Sequence, residues 1–139
     1  MITQISVFLE NSKGRLAKLT RLLGEAGIDL KAVSVADTTG FGILRAIVDD
    51  TQKARDILHE GGFHVSLTQV MAVQVDDVPG GLSRVLSILS DAELSVEYLY
   101  SFMHSDSGKV LILIHMDDPA RGEAVLAEHH IVTVKEGDC

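Results

Sequence analysis

The 139-residue sequence predicts an α+β chain of two tandem βαββαβ units, residues 1–68 and 69–139. Three observations carry that expectation. The first is an internal repeat: the polar stretch Glu10-Asn11-Ser12-Lys13-Gly14-Arg15-Leu16 returns, shifted by 66, as Asp76-Asp77-Val78-Pro79-Gly80-Gly81-Leu82. The second is a change of hydrophobic period across each stretch. Alternation in Ile5, Val7 and Leu9, and in Met71, Val73 and Val75, gives way to helical spacing in Leu16, Leu19, Leu23 and Ala26, and in Leu82, Val85, Leu89 and Ala92. The third is a second matched pair, Asp49-Asp50 and Asp117-Asp118, at a shift of 68. The second copy therefore has a hairpin two residues longer, where insertions are tolerated.

In the first copy, strand and helix are followed by a strand over Ile28 to Thr38, a turn at Thr38-Thr39-Gly40, and a strand over Ile43 to Asp49. A helix over Thr51 to Glu60 places Ala54, Ile57 and Leu58 on one face and stops at Gly61-Gly62. Phe63, Val65 and Leu67 begin a last alternating strand. The second copy repeats the order with Leu94 to Met103, the turn Ser105-Asp106-Ser107-Gly108, and Val110 to Met116. Asp118 caps a helix that starts at Pro119 and runs to Glu128, and Ile131 to Val134 closes the unit. This order is the split βαβ, or ferredoxin-like, arrangement: an antiparallel sheet with two helices on one face.

Two stretches say more. Val110-Leu111-Ile112-Leu113-Ile114 is apolar at every position, which implies cover on both faces of its sheet. No glycine or proline interrupts Phe63 to Val75, a run of roughly 43 Å at about 3.3 Å per residue, so a strand is expected to continue from one unit into the next and to hold them rigidly side by side.

Composition narrows the function. Hydrophobic residues make up 46% against 23% charged, enough for a packed core. Twelve Lys and Arg against 20 Asp and Glu give a net charge of -8, which opposes nucleic acid and anionic membrane as partners. No apolar run is long enough for a membrane span and no leader pattern opens the chain, so a cytoplasmic location is expected. The single cysteine, Cys139, precludes an intrachain disulfide and reads as a surface thiol. The six histidines have no acidic or thiol partner at ligand spacing, so neither a metal nor a cofactor is expected; His104 lies near the expected pocket wall of the second copy. Asp49-Asp50 and Asp117-Asp118 sit at strand-to-helix turns, where capping accounts for them. With no nucleophile beside a base and no phosphate loop, the chain does not read as an enzyme.

The chemistry concentrates in the repeated glycine loops. A glycine between strand and helix lets backbone approach a guest, and first-turn N–H groups face it with partial positive charge. Three plainer readings stand beside this one. Asn11 and Asp77 serve as helix caps, Gly14 and Gly80 serve close packing of helix on sheet, and Asp29 is an exposed strand-start residue.

The loop form Asn/Asp-x-Lys/Pro-Gly-x-Leu, the Leu-rich helix, Gly27-Ile28-Asp29-Leu30, and the strand Gly42 to Asp49 together resemble an ACT domain. Asp77-Val78-Pro79-Gly80-Gly81-Leu82 extends the resemblance to nearly the whole chain. The chain departs from the family pattern at Glu93, where a glycine like Gly27 is usual, and at Lys13, where proline is commoner. The loops are similar to those in the ACT modules of the acetolactate synthase small subunit and of phosphoglycerate dehydrogenase. The resemblance implies regulatory modules that pair, as in a homodimer, and bind an amino acid where two modules meet. Carried over, the loop positions are Asn11, Gly14, Arg15 and Leu16 with Asp77, Gly80, Gly81 and Leu82, and the facing strand positions are Asp29 and Ser95. Backbone N–H groups would hold the ligand carboxylate, and Asn11, Asp77 and Asp29 its ammonium. The expected function is regulation of amino-acid metabolism through oligomerisation or a biosynthetic enzyme partner; the alternative is a module that docks on such an enzyme without ligand.

Overall fold

The computed structural model describes residues 1–10, 12–38, 40–104 and 107–138. Asn11, Thr39, Ser105, Asp106 and Cys139 lie outside the described residues. In chain order the elements are β1 (Ile2–Glu10), α1 (Arg15–Glu25), β2 (Leu30–Thr38), β3 (Phe41–Val48), α2 (Thr51–Glu60), β4 (His64–Asp76), α3 (Gly81–Asp91), β5 (Val96–Ser101), β6 (Lys109–Met116), α4 (Pro119–Glu128) and β7 (Thr133–Val134). Packing divides them into a first unit, Thr3–Thr68, and a second, Gln69–Cys139 together with Met1–Ile2.

The first unit orders its strands β2-β3-β1-β4. β3 pairs antiparallel with both neighbours, so Ala46 stands opposite Ile5 on one side and Val33 on the other. Alternation then points Ile5, Val7, Leu9, Leu44, Ala46 and Val48 to one face, where they meet Leu19 and Leu23 of α1 and Ala54 and Leu58 of α2. The second unit repeats this as β7-β4-β6-β5, with Met71, Val73, Val75, Ile112, Ile114 and Met116 facing Val85 and Leu89 of α3 and Leu126 of α4. β4 is the expected uninterrupted strand and runs through the boundary between Thr68 and Gln69. The apolar run of β6 implied cover on both faces, and the face away from the helices has it only in part: Leu113 is fully buried, whereas Leu111 and His115 are half-buried and Lys109 is exposed.

The two acidic pairs have divided their tasks. Asp50 accepts from Lys53 N–H at 3.1 Å and Asp118 from Arg121 N–H at 3.2 Å, capping α2 and α4. Asp49 and Asp117 instead accept from Asp29 N–H and Ser95 N–H, each at 3.0 Å, while their own N–H groups donate to the Asp29 and Ser95 carbonyls. All four carboxylates are thereby occupied with backbone.

Three strands are shorter than expected, and the first is β2, which starts at Leu30 instead of Ile28 and carries a bulge between Leu30 and Ala32. β5 starts at Val96 instead of Leu94 and is broken by a bulge between Val96 and Tyr98, a register shift that apolar spacing does not reveal. β7 is only two residues long and pairs with Ala72 and Val73. The repeat also extends to backbone that sequence hides: Glu93 (φ 62) stands where the first unit has Gly27 (φ 72), and His130 (φ 60) where it has Gly62 (φ 89). A side chain in that left-handed region costs about 1–2 kcal/mol, which the second unit carries at Glu93, at His130 and also at Ser107 (φ 53).

Candidate functional site

Both glycine loops follow one backbone path. Ser12 N–H donates to the Glu10 carbonyl at 2.8 Å, and Val78 N–H to the Asp76 carbonyl at 2.9 Å. Gly14 (φ 82, ψ −3) and Gly80 (φ 85, ψ −6) then stand as N-caps of α1 and α3. A Cβ at either glycine would meet nothing within 4 Å, so the positive φ is what requires glycine there, not close packing of helix on sheet. Their carbonyls open the helices, accepting from Lys18 N–H and Arg84 N–H.

A glycine N-cap has no side chain to occupy the first-turn N–H groups, which stay available for an acceptor. The second loop offers fewer of them than expected, because Gly81 N–H donates to the Val78 carbonyl at 3.0 Å, leaving Leu82 and Ser83. Gly81 is also sterically confined: a Cβ would collide with the Asp76 carbonyl oxygen and lie 3.4 Å from Val75 Cγ1. Asp77 does not cap α3. Its N–H donates to the Gly108 carbonyl at 2.9 Å, and its side chain is exposed. Asn11, the matching position, lies outside the described residues.

The two loops differ in their side chains. Arg15 lays its guanidinium over the ring of buried Phe63, 4.2 Å from the centroid, and its buried Nε has no hydrogen-bond partner among the described residues. Leu16 is 44% exposed, whereas Leu82 packs on the second core. Beside Gly81 lies a cavity of about 100 Å³ that sequence spacing did not single out, lined by Gln74, Asp76, Arg84, Lys109, His130 and Val132 among others. Lys109 Nζ donates to the Asp76 carboxylate. That bond and the lysine charge hold the Asp76 carboxyl below its ordinary range, and Arg84 adds to the effect. Asp76 ends β4 and Lys109 begins β6, and the two meet only through the pairing of these non-consecutive strands, so no local sequence signal joined them.

Asp29 and Ser95 are not brought to the loop of their own unit. Each follows the C-terminal end of an 11-residue helix whose N-terminal end is the loop, a separation of roughly 16 Å along the axis. A ligand touching loop and strand start together must therefore draw them from two different modules.

This doubled strand, loop and helix matches the family profile of the ACT domain pair over residues 1–139. The chain is an ACT domain pair. Among solved structures, a protein from Bacteroides thetaiotaomicron is 34% identical, with 96% of this chain and 91% of that one covered and a TM-score of 0.88. The ligand-free regulatory subunit of aspartate kinase from Thermus thermophilus shares the fold at 18% identity, covering 92% and 90% of the two chains, with a TM-score of 0.69. The corresponding subunit from Thermus flavus is 19% identical over 92% and 90%, with a TM-score of 0.63. No curated protein matches the sequence. Among the described residues, no helix of this ACT domain pair is long and apolar enough to cross a membrane.

Proposed function

We propose that this ACT domain pair is a regulatory protein that binds a small amino acid against its glycine loops. The observation that carries the reading is the shared backbone of the two loops, each ending in a left-handed glycine that leaves helix N–H groups without a side-chain cap. Those N–H groups take the ligand carboxylate. Its ammonium is held by Asn11 or Asp77 and by an Asp29 or Ser95 position on a facing ACT module. Binding then favours the arrangement of modules that closes this site, and a second copy of the chain or an enzyme of amino-acid biosynthesis reads the result. No catalytic step is assigned to the chain.

A thermal-shift series against every proteinogenic amino acid tests this. A ligand at 100 times its Kd stabilises the fold by about 2.7 kcal/mol, so one amino acid or a small group of them is expected to raise Tm by several degrees. Absence of a shift with all of them defeats the reading.

One observation favours a second reading, docking on a partner enzyme without ligand: Phe8 is 44% exposed and stacks on Phe41 with ring centroids 4.6 Å apart. Pull-down by the full chain with and without amino acid separates the two, because the docking module captures its enzyme equally in both.

A further inference from the structure

The same pair of aromatic rings exposes a difference between the units that points to another binding site. On the sheet face away from the helices, Phe8 stands opposite Ile43 and Glu10 opposite Phe41 in the first unit. The stacked rings close the end of that face. By the internal repeat the corresponding residues of the second unit are Gln74, Leu111, Asp76 and Lys109, and the register agrees: Gln74 stands opposite Leu111 and Asp76 opposite Lys109. Both rings have been replaced, by a carboxamide and by an ammonium. Where they would lie there is a cavity of about 290 Å³, lined by Gln74, His104, Ser107, Lys109, Leu111, Val134 and Asp138.

We infer that this cavity binds a small organic carboxylate with a short aliphatic chain. Leu111 and Val134 supply the apolar floor. Lys109 supplies the positive charge: an ammonium has three N–H donors, and the bond to Asp76 uses one. Gln74, Ser107 and His104 add hydrogen-bonding groups around the carboxylate. Asp138 lines the cavity as well and admits a ligand that also carries an ammonium. The volume is close to the lower end for small-molecule pockets, about 300 Å³. It matches a single short chain. None of its lining residues lies in the glycine loops, although Gln74 and Lys109 also line the smaller cavity beside Gly81.

The probe is isovalerate, with isovaleramide as its uncharged counterpart, titrated into the full chain while backbone amides are followed by NMR. Isovalerate is expected to shift the amides of Gln74, Ser107, Leu111 and Val134, leaving those of Arg15, Leu16, Gly81 and Leu82 in place, and isovaleramide to bind at least about tenfold more weakly. Lys109→Met should weaken isovalerate by a similar factor. Asp76→Asn breaks the same ion pair but leaves the ammonium, so binding should be retained or tightened. The double substitution Gln74→Phe, Lys109→Phe recreates the ring pair and should abolish the shifts while the amide spectrum stays dispersed. The inference is overturned if saturating isovalerate moves none of these amides, if the amide binds as well as the acid, or if Asp76→Asn loses binding as Lys109→Met does.

Discussion

Leu23→Ala and Leu89→Ala are each expected to lower stability by about 2–5 kcal/mol, the cost of a fully buried leucine together with the cavity it leaves. Both side chains have no exposed surface, and they occupy the same position of the repeat, on α1 and α3. Against a typical domain stability of about 5–15 kcal/mol, either loss is enough to shift the folded population. The two leucines belong to separate core clusters, Leu23 with Ile5, Leu44 and Leu58 and Leu89 with Met71, Ile114 and Leu126. Hydrogen exchange should therefore report each lesion in its own unit: Leu23→Ala speeds exchange in α1, β1 and β3, and Leu89→Ala in α3, β4 and β6. Equal acceleration throughout the chain by either variant would show that the clusters do not behave as two cores.

Gly81→Ala is expected to destabilise the chain by about 1–3 kcal/mol, the usual cost of forcing volume into a packed site. The added methyl would collide with a backbone oxygen, that of Asp76, which cannot rotate away as a side-chain tip can. The adjacent glycine answers to a different cause. Gly80 has room for a Cβ but a φ of 85, so an asparagine, which tolerates the left-handed region, should restore much of what Gly80→Ala loses. At Gly81 asparagine should be at least as damaging as alanine. Urea denaturation of the four variants decides between sterics and backbone conformation at each position.

Much of the fold was legible because its signals are local. The bounds of α2 and α4 follow from a capping aspartate, from Pro119 at the head of α4 and from Gly61-Gly62 beyond α2, and the long β4 from the absence of any breaker between Phe63 and Val75. The start of β5 and the brevity of β7 were not legible, because a bulge at Glu97 and a pairing limited to Ala72 and Val73 depend on tertiary register. Glu93 and His130 carry no glycine to betray their positive φ; only alignment with Gly27 and Gly62 exposes them. The loop itself was read from its repeat. That Gly81 spends its N–H on Val78, that Arg15 stacks on Phe63, and that the two loops differ in the burial of Leu16 and Leu82 all required coordinates. The cavity over Gln74 and Lys109 was hidden for another reason: it lies at the positions that the repeat matches to the first unit's ring pair, and only the coordinates show the rings stacked there.

Amino-acid binding at the glycine loops is tested most directly by the amide NMR spectrum of the full chain, titrated with each proteinogenic amino acid. One of them should shift the first-turn amides of α1, α3 or both, at Arg15 and Leu16 or at Leu82 and Ser83, together with Asp29 or Ser95. If none moves any of these amides, the loops are turns that shape the fold and bind no amino acid.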